Sequence, residues 1–329
     1  MVPSSDGHQV ERAPRVWPAR VVAAAVILVA LARDRSGLFV VPLLFVIVVP
    51  FEKLFPRHRQ SLRRPQLSTD LAYGLAAPGL GLLSLFVGVA IGVVSLAWVP
   101  GLLLRPLVSL LPPTVKLVLG VLLVDLAAYW IHRFNHEVPF LWCFHAVHHS
   151  SEQLDWVSGL RGHPLDGALA APPFVLLAVA GFPIKFVGAA AAIQIVLGLF
   201  LHANVRWRWR VLQRVVATPE FHHWHHEASA HNTNYAALLP LWDQVFGTYD
   251  VPGDRRPARY GVDEAVPAGL VNQLRWPLHD VPPLRRMLTA GVRHPRRSAQ
   301  QLTRSVRRGL RQVAASARRP TRTFVHSRR

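Results

Sequence analysis

Long apolar runs limit what this chain can fold into more than any other feature of its sequence. The longest cover residues 71–99, 114–131 and 168–201, and shorter ones cover 21–32 and 38–51. The hydrophobic share is 51% and the mean hydropathy is positive, as expected for a protein that lies in a membrane. About 20 apolar residues let a helix cross a bilayer, where only fully hydrogen-bonded backbones are stable. The sequence therefore predicts an all-α, polytopic transmembrane helical bundle with about 4–6 spans.

The first apolar run has two interpretations. It follows Arg12, Arg15 and Arg20 and ends in Ala-Leu-Ala, a pattern that a cleaved secretory signal also shows. Because the charged residues 33–35 separate it from the second run, an N-terminal hairpin is favoured. Both runs are short for complete spans, so the number of N-terminal crossings stays open.

The net charge of +19 is distributed unevenly along the chain. Five basic residues lie between positions 53 and 64, and 18 arginines against four acids follow Val251. The loop at 100–113 carries only Arg105. Because basic loops stay in the cytoplasm, the two basic regions are predicted to be cytoplasmic. For the arginine-rich segment at 285–329, nucleic-acid binding is only the third choice, because no aromatic interleaving supports it.

This charge bias gives each span a direction. With the loop at 100–113 outside, the apolar runs on either side of it cross the membrane in opposite directions. The run at 168–201 is long enough for a hairpin, which is expected to break near Pro183 and return the chain to the same side. All the histidine motifs would then form a helical cap on the cytoplasmic side.

Histidines are concentrated in one part of the sequence, because 12 of the 17 lie between positions 132 and 231. Eight of them form one HxxxH and two HxxHH motifs: His132, His136, His145, His148, His149, His222, His225 and His226. On a helix, residues i, i+3 and i+4 share one face, so each motif directs its imidazoles to one place. Eight imidazoles exceed the four ligands of a tetrahedral zinc, so the spacing predicts two ions held side by side.

Two other residues near the motifs bear on the chemistry. Asp125 precedes His132 by seven residues and lies on roughly the same helix face. Its carboxylate is predicted to accept the free N–H of a metal-bound imidazole and to fix the tautomer. Cys143 is the only cysteine, which excludes a disulfide framework, a cysteine-based zinc site and a Cys-ligated iron–sulfur cluster.

Histidine spacing alone leaves other metal functions open. A histidine-based metal transporter would need ligands inside the spans along a path, whereas these histidines gather at span ends on one side. A structural zinc site in a membrane protein is a second alternative. A zinc hydrolase is a third, disfavoured because HExxH is absent and the histidines are too many for one catalytic zinc.

The motifs also resemble those of a known family. In order they are HRFNH, LWCFHAVHHSS, RGHPLDG, LHAN, TPEFHHWHH and NYAALLPLWDQVFGTYD, between residues 117 and 250. Together they resemble the fatty acid hydroxylase and sterol desaturase superfamily of integral membrane proteins. The resemblance implies a cytoplasm-facing, non-haem di-iron centre that uses O2 and reducing equivalents to hydroxylate or desaturate a lipid, with zinc as a substitute metal.

The resemblance carries the ligand role over to the eight motif histidines and adds two more. His163, in an HPxD element, and His202, at a span end, complete a set of ten that suits two five-coordinate ions. His223 is interpreted as a neighbour and not as a ligand. Asp243 is interpreted as a structural brace, and Ala236 replaces the family's glycine, which leaves the local turn open.

The expected chemistry needs partners that the chain does not contain. An alkyl C–H bond has no acidic proton, so acid–base side chains alone cannot attack it, whereas activated oxygen can. The sequence has no GxGxxG fingerprint, haem motif or ferredoxin spacing, so electrons must come from a separate cytochrome b5-, ferredoxin- or rubredoxin-like donor. The sequence does not specify the lipid, which could be a fatty acyl chain, a sterol or other polyisoprenoid, a carotenoid or an ether lipid. It also does not distinguish hydroxylation from desaturation.

The chain is predicted to have three parts. Residues 1–70 form an N-terminal apolar hairpin and a basic cytoplasmic loop, 71–251 form the fatty acid hydroxylase-like catalytic membrane domain, and 252–329 form an arginine-rich cytoplasmic tail. Within the tail, residues 302–315 suit a basic amphipathic helix on anionic lipid or a solvated disordered segment. Five histidines without a partner at ligand spacing are predicted to be solvated: His8, His58, His279, His294 and His326.

Overall fold

The computed structural model of the chain describes residues 48–61, 63–229, 232–252 and 255–279. Met1–Phe51 and Glu52–Arg329 form separate compact units, and every element named below belongs to the second. The predicted N-terminal hairpin, the alternative signal segment, and the tail with its helix at 302–315 lie outside the described residues. Four of the five histidines predicted to be solvated also have side chains that are not described; the fifth is His58.

The described part of the chain is helical. Its α-helices are α1 (Leu67–Val94), α2 (Trp98–Ser109), α3 (Pro113–Glu137), α4 (Pro139–His149), α5 (Pro164–Ala168), α6 (Ala171–Val179), α7 (Ile184–Leu201), α8 (Pro219–His225), α9 (Leu241–Phe246) and α10 (Leu270–His279). Single 3₁₀ turns lie at Ser158–Leu160 and Leu212–Arg214. These residues contain no strand, only the isolated bridges Pro56–Val205 and Glu227–Tyr260. The predicted all-helical class is confirmed.

Three of the described helices, α1, α3 and α7, are long and apolar enough to cross a membrane. They correspond to three of the predicted apolar runs. Large apolar side chains on α1 are exposed, such as Leu75 at 87% and Phe86 at 75%, which a bilayer would cover and water would not tolerate in such number. The predicted total of about 4–6 spans includes runs that lie mostly outside the described residues.

Most of the predicted loop at 100–113 is helical instead, because residues 100–109 belong to helix α2. This helix packs against α6, and a small residue makes the approach possible. A Cβ atom added at Gly101 would lie 2.6 Å from the carbonyl oxygen of Leu176 and 3.1 Å from Cβ of Val179. The leucines of this segment therefore lie on a helix beside the spans, and the prediction of a loop is wrong.

The predicted break in the run at 168–201 is present. Helix α6 ends at Val179, Gly181 takes a left-handed φ of +95°, and α7 begins directly after Pro183. Glycine adopts this backbone conformation without the strain that a Cβ atom would add. Phe182 is buried in this turn, so the apolar side chain between Gly181 and Pro183 holds the two helices together.

The histidine motifs lie at the ends of these helices. Helix α3 is continuous from the apolar span through His136, as predicted, and ends at Glu137. Helix α4 starts two residues after that end, at Pro139. His202 follows the last residue of α7. Beneath the motifs is a core of buried residues that joins α3, α7 and α8: Tyr129, Leu201, Ala217, Phe221, Tyr235 and Ala236.

Candidate metal centre

Nine of the ten histidines predicted as ligands converge on two places. The five-histidine group consists of His132, His136, His145, His149 and His225. The four-histidine group consists of His148, His202, His222 and His226. Within each group, one nitrogen from every ring lies within 4.8 Å of all the others. Each group therefore offers more nitrogen ligands than a chance pair of neighbouring histidines could.

Each HxxHH motif is divided between the two groups. On α4, His145 and His149 belong to the five-histidine group and His148 to the other. In the second motif, at α8, the majority lies in the other group: His222 and His226 belong to the four-histidine group and His225 to the five-histidine group. Residues i and i+4 lie about 40° apart around a helix, whereas adjacent residues lie about 100° apart. The prediction that each triad serves one place is therefore wrong, because each short helix serves both groups.

The spacing of the nitrogens in the four-histidine group fits a shared ion. His202 Nε2 lies 3.2 Å from His148 Nε2 and 3.2 Å from His222 Nε2. His226 Nε2 lies 3.1 Å from His222 Nε2. Two nitrogens that each bind one ion at about 2.0–2.1 Å are separated by roughly 3 Å. The rings thus present their lone pairs at the separation that a common metal would require.

Oxygen acceptors fix the orientation of five of these rings through Nδ1. The pairs are His132 with Tyr235 O (2.7 Å), His145 with Asp166 Oδ2 (2.9 Å), His148 with Arg161 O (2.8 Å), His202 with Gly198 O (2.7 Å) and His225 with Thr233 O (2.8 Å). A carbonyl or carboxylate oxygen only accepts, so Nδ1 carries the proton in each ring. Nε2 is then left with its lone pair for a metal, as in other histidine metal sites.

Two further observations match a cation at these groups. Nε2 of His145 is buried and has no hydrogen-bond partner among the described residues, a state that is unfavourable unless a ligand satisfies it. Burial, followed by the charge of neighbouring histidines, lowers the pKa of His148 to about 4 and that of His202 to about 3. These rings are therefore neutral at physiological pH. An all-imidazole set suits iron, zinc, copper or nickel.

Asp166 orients one ligand and was not predicted to do so. Its Oδ2 accepts from His145 Nδ1, and its Oδ1 accepts from Asn135 Nδ2 at 2.6 Å. Burial raises the pKa of this carboxyl, but His145 and then neighbouring imidazoles outweigh it, so the net pKa is lowered. The carboxylate stays ionised beside the centre. The HPxD element in the sequence contained the signal for this role, since Asp166 is its acidic residue.

Arg161 is the second positioning residue that the sequence did not reveal. Its side chain is 1% exposed and donates to Asp70 on α1 and, at 2.9 Å, to Ser150 Oγ. Its own carbonyl oxygen accepts from His148 Nδ1. The buried ion pair thereby holds in place the backbone that orients a ring of the four-histidine group.

Asp125 does not have the role predicted for it. Among the described residues, its carboxylate accepts four hydrogen bonds, none of them from an imidazole. The donors are Gln194 Nε2 (2.9 Å), the backbone N–H of Leu238 (3.1 Å) and of Leu239 (3.0 Å), and Trp242 Nε1 (2.9 Å). No histidine is among these partners, and the carbonyl of Tyr235 takes the position at His132 instead. Asp125 therefore fastens the segment before α9 to α3 and α7.

His163 lies outside both groups, although it was predicted to be a ligand. Its Nδ1 accepts from the backbone N–H of Leu165 at 3.2 Å, which caps α5. Its Nε2 donates to the carbonyl of Leu274 on α10 at 3.1 Å. Both ring nitrogens are thus used for structure, and we leave His163 out of the ligand set.

His223 and His58 share one hydroxyl group. His223 Nδ1 lies 2.8 Å from the Tyr260 hydroxyl, and its Nε2 contacts the carbonyls of His202 and Ala203 at 3.3 and 3.1 Å. It is therefore a neighbour of the four-histidine group and not part of it, as predicted. His58 Nε2 lies 3.0 Å from the same hydroxyl, so the prediction that His58 is merely solvated is wrong.

The brace predicted at Asp243 is present. Its carboxylate accepts from the backbone N–H of Tyr235 at 2.8 Å and of Ala236 at 2.9 Å. The left-handed residue of this turn is Asn234, with φ of 58°. Alanine in place of the family's glycine therefore introduces no strain at position 236. This braced turn holds the carbonyl of Tyr235 in position to accept a hydrogen bond from His132 Nδ1.

Comparison with known proteins identifies the family to which these histidine motifs belong. A model of the fatty acid hydroxylase family matches residues 117–248. The ornithine lipid hydroxylase OlsE of Rhizobium tropici is 30% identical over 246 residues, which cover 70% of the chain and 72% of that protein. An alkylglycerol monooxygenase of Danio rerio is 30% identical over 137 residues, 40% of the chain and 30% of that protein. A very-long-chain aldehyde decarbonylase of Oryza sativa subsp. japonica is 27% identical over 146 residues, 40% of the chain and 22% of that protein.

No solved structure matches the chain at a significant level. The family match and the similarity over most of the Rhizobium protein show that the chain belongs to the fatty acid hydroxylase family. With its three apolar helices it is an integral membrane protein, and its class is that of the oxygen-dependent lipid hydroxylases and desaturases.

Proposed function

We propose that the protein is a membrane-bound, non-haem di-iron oxidoreductase that uses O2 and external electrons to oxidise a lipid. The observation that carries this proposal is the pair of adjacent histidine groups at the ends of apolar helices. The five-histidine and four-histidine groups would each hold one ion. Zinc could occupy the same nitrogens, but zinc has no redox chemistry and would leave the enzyme inactive.

The metal and the protein contribute different parts of the reaction. Bound iron would supply the reductive activation of O2 that an unactivated C–H bond requires. The chain keeps the imidazoles neutral through burial and fixes their tautomers through backbone carbonyls and Asp166. Most of the rings are buried, which limits the access of bulk water to the centre.

The similarity to relatives favours a lipid substrate and, within that class, hydroxylation as the first reaction to test. The relative that covers most of the chain is named as an ornithine lipid hydroxylase, and a second as an alkylglycerol monooxygenase. The apolar helices would bring such a lipid to the membrane face where the histidines lie. We propose that this face is cytoplasmic and receives electrons from a small carrier protein.

Metal analysis of the purified protein tests the two-ion assignment. We expect about two irons per wild-type chain, because both groups can hold an ion. His148→Ala should lower the content to about one by removing a ligand of the four-histidine group. His163→Ala is the matched control, a nearby buried histidine outside both groups, and should retain two. Equal losses in both variants would contradict the assignment.

Lipid profiling tests the activity. The wild type and His148→Ala would be expressed together with a reductase and carrier, and extracted lipids compared by mass spectrometry. We expect a lipid with one added oxygen in the wild type alone. If the wild-type profile is unchanged and the protein holds no iron, a structural zinc protein or metal transporter becomes the better interpretation.

A further inference from the structure

A strongly basic cavity is lined by residues that belong to neither histidine group. Its volume is about 610 Å³. Its charged lining consists of five cations and one carboxylate: Lys53, Arg57, Arg59, Arg206, Arg256 and Glu52. A cavity with this charge balance concentrates anions. We call it the basic pocket.

Arg57 is the feature of the basic pocket that points to a ligand. The residue is only 3% exposed, and its Nη1 and Nη2 atoms are buried without a hydrogen-bond partner in the described part of the chain. Among the described residues, the one hydrogen bond of its guanidinium group is long, 3.5 Å from Nε to the carbonyl of Val205. A buried, unpaired guanidinium is unfavourable, and its two terminal amino groups form a fork that matches an oxyanion.

The acidic groups near Arg57 form ion pairs or hydrogen bonds with residues other than Arg57 in the described part of the chain. Glu220 pairs with Arg208 at 3.4 Å. Oε1 of Glu52 accepts the backbone N–H of Trp156 at 2.7 Å and of Asn204 at 2.9 Å. Burial and then Asp155 raise the pKa of Glu52 to about 7, so its negative charge is only partial near neutral pH. Burial lowers the pKa of Arg57, and the attraction of Tyr260 and Glu220 offsets this effect only in part. Among the described residues, the guanidinium of Arg57 therefore forms no ion pair.

The hydroxyl of Tyr260 does not serve as that partner either. It is used by His58 and His223, at 3.0 and 2.8 Å. His223 also donates to the carbonyl of His202, so Tyr260 is linked to the metal centre and not to Arg57. None of the residues that line the basic pocket belongs to either histidine group.

We propose that the basic pocket binds the phosphate group of an anionic ligand, with Arg57 as its buried partner. Lys53 and Arg57 directly follow the apolar run at 38–51, and Arg206 lies shortly after the end of α7. Residues at the polar ends of membrane-spanning segments lie at the depth of lipid headgroups. A phospholipid headgroup is thus the favoured source, and inorganic phosphate shares the same chemistry. The site does not depend on the iron centre.

Binding to the full-length protein in neutral detergent tests the site. The probes are inorganic phosphate, dihexanoyl phosphatidic acid and uncharged dihexanoylglycerol, and the readouts are calorimetric affinity and the thermal shift that a bound ligand produces. We expect Arg57→Gln to weaken phosphate and phosphatidic acid binding by about tenfold or more. Arg63→Gln is the matched control, because Arg63 is exposed in the same segment and does not line the pocket. It should change affinity by less than about twofold.

The two anionic probes distinguish the source of the phosphate. Tighter binding of phosphatidic acid than of inorganic phosphate, with no binding of dihexanoylglycerol, supports a lipid headgroup. Equal binding of the two anions supports a soluble phosphate ligand. Absence of anion binding in the wild type, or equal weakening in Arg57→Gln and Arg63→Gln, would overturn the proposal.

A second variant covers the case in which Arg57→Gln does not fold. Arg256 is exposed on the pocket, and Arg256→Gln should weaken phosphatidic acid binding by about threefold relative to Arg63→Gln. An effect equal to that of the control would count against the site. Impaired electron transfer from an acidic carrier protein with unchanged phosphate binding would assign the pocket to protein docking instead.

Discussion

Gly159 illustrates how closely the backbone approaches the ligand rings. A Cβ atom at this position would lie 2.9 Å from Nδ1 and 3.0 Å from Cγ of His202. The ring cannot easily move away, because its Nδ1 donates to the carbonyl of Gly198 at 2.7 Å. Position 159 therefore needs glycine for space, although its backbone φ is ordinary.

We predict that Gly159→Ala displaces His202 and weakens metal binding in the four-histidine group. Iron per chain, measured by mass spectrometry on purified protein, should fall from about two to about one. Gly162→Ala is the control, since a Cβ there meets nothing within 4 Å. Retention of both irons in Gly159→Ala would show that the ring adapts to the added methyl group.

At the scale of elements, a buried ion network attaches the start of α1 to the segment that follows α4. Asp70 on α1 accepts from Arg64 at 2.6 Å and from Arg161. Arg64 also donates to Asp155 at 2.6 Å. The charges are paired and buried, so each depends on the others for compensation. Through the carbonyl of Arg161, this network reaches His148.

We predict that Asp70→Asn destabilises the protein by about 3–5 kcal/mol, because it leaves two buried guanidinium groups with too little negative charge. The thermal unfolding midpoint in detergent measures the loss. Asp263→Asn is the control, since it breaks an exposed pair with Arg259 and should leave the midpoint unchanged. Similar midpoints for the two variants would mean that the buried network adds little stability.

At the scale of the whole molecule, we expect the two ends of α3 to lie at opposite faces of the membrane, because this helix is long and apolar enough to cross it. The helix has 25 residues and is therefore about 37 Å long, more than the thickness of the hydrocarbon core. Leu110 lies just before its first residue and is 80% exposed, whereas His136 is in its last turn. Arg255 is exposed, and its carbonyl oxygen accepts from Arg208. Arg208 in turn pairs with Glu220 on α8, the helix that carries His222 and His225.

We predict that a membrane-impermeant maleimide labels Leu110→Cys in intact spheroplasts, but labels Arg255→Cys only after lysis, as the proposed cytoplasmic position of the histidine face requires. The wild type is the control. Its Cys143 is buried, and burial raises the pKa of the thiol to about 11, so it should react in neither condition. Labelling of Arg255→Cys before lysis would reverse the orientation.

The sequence by itself determined the features that depend on near neighbours. Apolar runs specified α1, α3 and α7, and Gly181 with Pro183 specified the break between α6 and α7. The HxxxH and HxxHH spacings specified eight of the nine histidines that belong to the two groups. These features follow from the periodicity of a helix and the length of a span, which are local properties.

Only the tertiary structure decided how the histidines are divided and which polar residues support them. Whether His148 joins His145 or His202 depends on where α7 and α8 lie relative to α4, and spacing along one helix carries no such information. The same reason explains why the sequence did not predict the structural partners of Asp125 and His163 or the lining of the basic pocket. Their partners are distant in sequence, and a polar side chain is satisfied by whichever groups packing brings within hydrogen-bond distance.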